Sequence, residues 1–167
     1  PKLKSKTAKK KIARFAMLHD TNITQRIEII IEHFRNVVLK DQHWAKGMVV
    51  PGSRAEAVKY YDAFIQYVND KGYNDVRPLV AFSGNSTQKQ LGISDNNDKF
   101  FTESSINGFS EIHTADKFDK DDYQVLLVAN KYQTGFDQPK LSVMYIMKKL
   151  SGISAVQTLS RLNRTYL

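Results

Sequence analysis

Four short apolar runs, at 48–50, 79–82, 125–129 and 141–147, constrain this chain more than any other feature of it. Each is too short for a typical helix and close to unbroken, where a strand with one wet face would alternate. The first two read as strands, 48–50 a buried one, and the last two as strands covered on both faces, the condition of a parallel sheet. Parallel neighbours cannot be joined by a tight turn, so the chain between them must cross over, usually as a helix. The intervening sequence supplies such helices. Asn22 with Gln25 three residues on marks a helix start, and Ile27, Ile30, Ile31, Phe34, Val37 and Val38 then recur at helical spacing to about Lys40. Ser53-Arg-Ala-Glu56 is a capping box opening a second helix, with Ala57, Val58, Tyr61, Phe64, Ile65 and Val68 on one face and Gly72 at its end. The pattern predicts an α/β domain: a doubly wound, mainly parallel sheet flanked by helices.

From Asn85 to about Asp122 periodicity fades among Ser, Asn, Gly, Asp and Lys. That stretch is too long for an ordinary connection, so an irregular insertion near 85–122 is expected. The 167 residues suffice for one full core and fall short of two. No apolar run approaches the ~20 residues that span a bilayer, and the first residues lack the apolar stretch of a signal peptide. Cysteine is absent, which excludes thiolate chemistry; a cytoplasmic setting with no membrane partner is expected. The net charge of +8 is unevenly placed, because Lys2, Lys4, Lys6, Lys9, Lys10, Lys11 and Arg14 all precede the first acid, Asp20. Without those seven, the 25 basic residues fall to 18 against 17 acidic ones. Residues 1–20 are therefore expected to be a basic tail, opening helix or linker, meeting nucleic-acid phosphates or merely solvated, with 21–167 as the folded domain.

In open α/β sheets, ligands gather beyond the carboxyl ends of the strands. Four polar motifs fall there: Pro51-Gly-Ser53-Arg54, Phe82-Ser83-Gly84, Gln133-Thr134-Gly135-Phe136-Asp137-Gln138-Pro139, and a helix bearing Gln157, Arg161 and Arg164. A helix advances about 100° per residue, so with Gln157 at zero Arg161 lies at about +40° and Arg164 at about −20°. Val156, Leu159 and Leu162 cluster on the opposite side, which can be buried. One glutamine and two arginines are thus aimed together, and the planar guanidinium fork suits phosphate oxygens. Each motif also has a plainer reading: a cap at Ser53, a turn at Gly84, a punctuated loop at 135–139, and a solvated basic face with Gln157 closing a capping box from Ser154. Their common order and common edge favour a shared function.

Gln157-Thr-Leu-Ser-Arg161-Leu-Asn-Arg164 resembles motif VI of superfamily-two helicases and translocases, usually Gln-x-x-Gly-Arg-x-x-Arg, with Ser160 in place of the glycine. Gly135-Phe-Asp137 with Pro139 resembles their motif V, and Gly47-Met-Val-Val-Pro-Gly-Ser-Arg54 their motif IV. Three longer stretches are similar to the restriction (motor) subunit of type I restriction-modification enzymes: 128–139, 148–153 and 155–165. The resemblance is to that subunit's second RecA-like motor domain and covers roughly residues 20–167.

The resemblance implies a domain that closes with a first motor domain over ATP and Mg²⁺. Arg161 and Arg164 would reach the γ-phosphate in trans, supported by Gln157, and Gly135 and Asp137 would line the nucleotide side. Thr134, Ser53, Arg54 and Gly84 would grip the DNA backbone, which positions a protein without reading sequence. The implied partners are duplex DNA, the subunit's first motor and nuclease domains, and separate modification and specificity subunits. This chain has no Gly-x-x-x-x-Gly-Lys-[Ser/Thr] phosphate loop and no Asp-x-Lys or Glu-x-Lys nuclease core. His19, His33, His43 and His113 lack metal-ligand spacing, so Mg²⁺ ligands are expected on the first motor domain and no metal site here. Because the chain stops just past motif VI, a truncated, excised fragment, inactive alone, is expected. Two other readings remain: the second motor domain of another superfamily-two helicase, or a non-enzymatic nucleic-acid-binding α/β module.

Overall fold

A computed structural model of the chain describes residues 20–87, 100–131 and 136–148. Four strands, β1 (Lys46–Val50), β2 (Pro78–Phe82), β5 (Val125–Ala129) and β6 (Leu141–Ile146), form one sheet in the order β2-β5-β1-β6. Every pairing in it is parallel, so all four carboxyl ends lie along one edge. The expected α/β parallel sheet flanked by helices is the observed fold, and each strand lies where an apolar run was read. A short antiparallel pair, β3 (Asn85–Thr87) with β4 (Phe100–Thr102), stands apart from it.

Side chains alternate across the pleat, and both faces of the central strands are filled. Val49, Val80, Phe82, Val125 and Leu127 face α1 (Asp20–His33) and α2 (Arg54–Lys71), where they meet Ile27, Ile31, Phe34, Tyr60 and Phe64. Met48, Leu79, Ala81, Leu126 and Val128 face the other way, towards Phe118 and Phe136. Double burial is why these runs show no alternation in polarity; each fully buried aromatic contributes roughly 1.5–3 kcal/mol. β6 departs from this expectation. It ends the strand order, and beyond Leu141 its residues are half-buried or, at Ser142, exposed.

The described part of α1 already runs at Asp20, ahead of the start read at Asn22. It continues through a π-helical turn at Phe34–Val38 and a last turn at Leu39–Asp41. α2 begins as expected, with the Ser53 hydroxyl accepting from Glu56 N at 3.1 Å, and ends at Gly72. Its buried face is rotated from the one read, since Tyr60 is fully buried while Tyr61 and Ile65 are half-buried. Arg26 Nη1 donates to the Tyr60 hydroxyl at 3.3 Å, so that polar tip keeps a partner below the helix surface.

The largest difference lies in 85–122. Its described part contains β3 and β4, helix α3 (Glu103–Asn107), a 3₁₀ turn (Glu111–His113) and helix α4 (Thr114–Asp119). These pieces are too short to show a period. They are held by caps and long-range polar contacts, with Thr102 and Ser105 forming a reciprocal capping box at the start of α3. α3 also covers the open edge of β2. Asn107 accepts from Val80 N at 2.9 Å and donates to Val80 O at 2.7 Å, while Glu103 accepts from Phe82 N at 2.9 Å. Four helical residues rise about 6 Å and two strand residues about 6.6 Å, so one turn of α3 matches alternate residues of β2. Backbone groups that would otherwise lie open along the sheet edge are thereby satisfied.

Candidate functional site

At the carboxyl edge, β1 gives way to buried Pro51 and exposed Gly52 before Ser53 caps α2. A Cβ on Gly52 would lie 2.5 Å from Glu56 Oε2, so glycine lets the Glu56 carboxylate fold back over the turn. Arg54 leaves the first turn of α2 and its Nη1 donates to Ser83 O at 2.9 Å, joining the loop after β1 to the loop after β2. Gly84 follows at φ +79°, and a Cβ there would lie 2.4 Å from Arg54 Nη1. The left-handed backbone favours glycine, and a side chain there would also displace the guanidinium beside it. The structure thus brings Ser53, Arg54 and Gly84 into one half-exposed group carrying a hydroxyl, a cation and a bare loop backbone. Those are the donors by which proteins hold phosphodiester oxygens.

A second polar group lies beside it. Glu103, 1 % exposed, accepts through Oε2 from Phe82 N and from Lys131 Nζ at 2.7 Å, and through Oε1 from the Thr114 hydroxyl. Glu111 Oε2 stands 3.8 Å from the same ammonium. Lys131 follows Asn130, which leaves β5 with a positive φ of 55°. The connection from β5 to β6 therefore begins under the grip of α3, and its other end is held too. Buried Gln138 donates to Asp119 Oδ1 at 3.1 Å, and Lys140 Nζ donates to Asp119 O at 3.0 Å. The Gln138 contact, then the Lys140 charge, lower the pKa of Asp119. Sequence reading missed Glu103, Asn107, Thr114, Asp119 and Lys131. Only the turn-and-a-bit spacing Glu103-x-x-x-Asn107 behind a capping box was there to find.

Asp137 is exposed between buried Phe136 and buried Gln138. It lies on the β5–β6 connection. Thr134, Gly135, Gln157, Arg161 and Arg164 lie outside the described residues, as does the basic segment before Asp20. Among the described residues no group of three His, Cys, Asp or Glu side chains is placed to hold a metal ion, and no helix is long and apolar enough to cross a membrane.

The opposite, amino edge of the sheet carries an unusual cation. Lys46, 2 % exposed, donates from Nζ to Lys120 O at 2.5 Å and to Tyr123 O, with the Phe118 ring centroid 5.3 Å away. Burial first, then neighbouring Lys140, lowers its pKa from an ordinary 10.5 to about 8, against the opposing pull of Asp119, Asp121 and Asp122.

The fold defines the class: an α/β domain built on a parallel four-stranded sheet flanked by helices. Residues 43–167 match the family described as type I restriction enzyme subunit R domain 3, and the chain belongs to that family. Two relatives from Methanocaldococcus jannaschii are similar to it. One, named "Putative type I restriction enzyme MjaVIIP endonuclease subunit", is 28% identical over 149 residues, covering 86% of this chain and 13% of the relative. The other, named "Putative type I restriction enzyme MjaIXP endonuclease subunit", is 30% identical over 153 residues, covering 90% of this chain and 13% of the relative. The chain therefore spans about one eighth of the length of these relatives.

Proposed function

We propose that this chain is the second RecA-like motor domain of the ATP-dependent translocating and DNA-cleaving subunit of a type I restriction enzyme. The family match over 43–167 carries this reading, and the Ser53–Arg54–Gly84 group at the carboxyl edge supports it with suitable chemistry. Ser53, Arg54, Gly84 and Thr134 hold the backbone of duplex DNA; Arg54 keeps further N–H donors beyond the one given to Ser83. Gly84 leaves room for the Arg54 guanidinium to lie against the loop backbone. Arg161 and Arg164 meet charge developing on a transferring phosphoryl group, Gln157 supports the same contact, and Gly135 and Asp137 line that side of the cleft.

ATP with Mg²⁺ supplies the phosphoryl chemistry when bound, held chiefly by a first motor domain outside this chain. This domain's own part is to bind, orient and stabilise charge. The subunit's nuclease domain and separate modification and specificity subunits complete the assembly. Arginine fingers are worth about 10³–10⁵ in rate where measured, so Arg161→Ala or Arg164→Ala in the full-length subunit should cost several orders of magnitude in ATPase and translocation. Lysine should rescue poorly, because a point charge does not reproduce the fork. The chain alone should show no Mg²⁺-ATPase with or without duplex DNA. Turnover by the chain alone, or wild-type ATPase in both alanine variants, would refute the proposal.

A further inference from the structure

The contacts at the carboxyl edge form a continuous polar path across three strands. Arg54, after β1, donates to Ser83 O. Ser83 follows Phe82, whose N–H donates to Glu103 Oε2, and that same oxygen accepts from Lys131, two residues beyond the end of β5. Arg54, held against DNA in the proposed reading, is thus three hydrogen bonds and one peptide unit from the root of the β5–β6 connection, which carries Asp137. The far end of that connection is fixed independently through Gln138 and Asp119. The segment 103–119 therefore grips the connection at both ends while its first helix grips β2.

We propose that Glu103 is a positioning residue that couples the DNA-side and nucleotide-side groups of the carboxyl edge. It locks the start of the β5–β6 connection to the end of β2, so that DNA seated against Arg54 and Gly84 sets the position of the nucleotide-side residues. The inference rests on the motor reading above. Glu103 suits the role because one carboxylate oxygen serves both strands: a shift of Phe82 relative to Lys131 lengthens one of its two bonds. The pair is also almost dry, with 1 % and 19 % side-chain exposure, so this contact is screened far less than a surface ion pair.

Glu103→Gln in the full-length subunit separates this role from mere folding. An amide oxygen still accepts from Phe82 N, and the amide nitrogen can donate to Thr114, so the edge of β2 stays closed while Lys131 loses its nearer anionic partner and keeps only Glu111 at 3.8 Å. Lys131→Met removes the same ion pair from the other side. The readout is the ratio of ATPase kcat with duplex DNA to kcat without it, beside a thermal melt of each variant. Coupling energies between sites typically correspond to about 5–150-fold effects, so each variant should lower that ratio at least about fivefold. The double variant should be no worse than the worse single one, as expected for two partners of one contact. If Glu103→Gln melts early, Lys131→Met decides, since it leaves Phe82 and Thr114 paired. Two variants that keep the wild-type ratio overturn the coupling, as does a double variant whose loss is the product of the two. A wild-type subunit with no stimulation by DNA overturns the motor reading, and the coupling with it.

Discussion

Gly84→Ala tests the carboxyl edge at the point where backbone and side chain make the same demand. Alanine at φ +79° costs about 1–2 kcal/mol for a left-handed conformation. Its methyl carbon would also stand 2.4 Å from Arg54 Nη1, which no pair of atoms tolerates. The guanidinium is the free end of a long side chain and can swing away, so relief costs only its bond to Ser83 O, about 0.5–1.5 kcal/mol. The sum is about 2 kcal/mol. Arg54→Ala alone loses the same hydrogen bond, about 1 kcal/mol. The double variant should therefore cost about 2 kcal/mol and not 3, because the second substitution removes what the first has already broken. Urea unfolding midpoints at unchanged slope give these numbers directly. On the proposed function, Arg54→Ala should also weaken duplex binding uniformly across sequences and reduce the salt dependence by about one phosphate contact. A cost below about 0.5 kcal/mol for Gly84→Ala, or strict additivity of the pair, would show that Arg54 does not lie over Gly84.

Lys46 predicts a pH dependence of opposite sense to that of a cation held by an anionic partner. Its folded pKa of about 8 lies below the ordinary 10.5, so between those values the unfolded chain holds a proton that the folded chain has released, and stability rises with pH. The neutral amine keeps two N–H donors, enough for both Lys120 O and Tyr123 O. At 1.36 kcal/mol per unit, wild type should gain on Lys46→Met by about 2–3 kcal/mol between pH 7.5 and 10. A flat difference in unfolding free energy across that range would refute the burial argument. Asn107→Ala should remove both bonds to Val80 and cost about 2 kcal/mol, with faster amide exchange at Val80 and an unchanged rate at Leu127 in the sheet centre. Unaltered exchange at Val80 would mean that the β2 edge is closed by something else.

The elements that sequence made legible share one property: their signal is local. The run at 125–129 was readable as a doubly covered strand because burial on both faces removes alternation within a few residues, whereas 141–147 carried the same signal on a strand that ends the sheet order and is only half-buried. Ser53 was readable as a cap because its partner, Glu56, is three residues away. Signal failed where the partner is distant. Tyr60 is buried because Arg26, 34 residues earlier, satisfies its hydroxyl, and nothing in α2 itself announces that. The stretch 103–119 looked irregular because its pieces are shorter than the window in which a helical period can be seen.

The same division runs through the site. Ser53, Arg54 and Gly84 stand in contiguous strings of loop residues, so each was found from its own neighbourhood; what joins them, the Arg54–Ser83 bond, spans 29 residues. Glu103 and Lys131 are 28 residues apart, and neither was read as a site residue. A side chain that touches a ligand must be one of few chemical types in a fixed local geometry, and that leaves a pattern in sequence. A side chain that holds such a residue in place needs only to reach it, from any element the fold happens to bring near. Residues whose partners are local can thus be read from a motif, whereas those that hold them in place emerge only once distant strand ends lie along one edge.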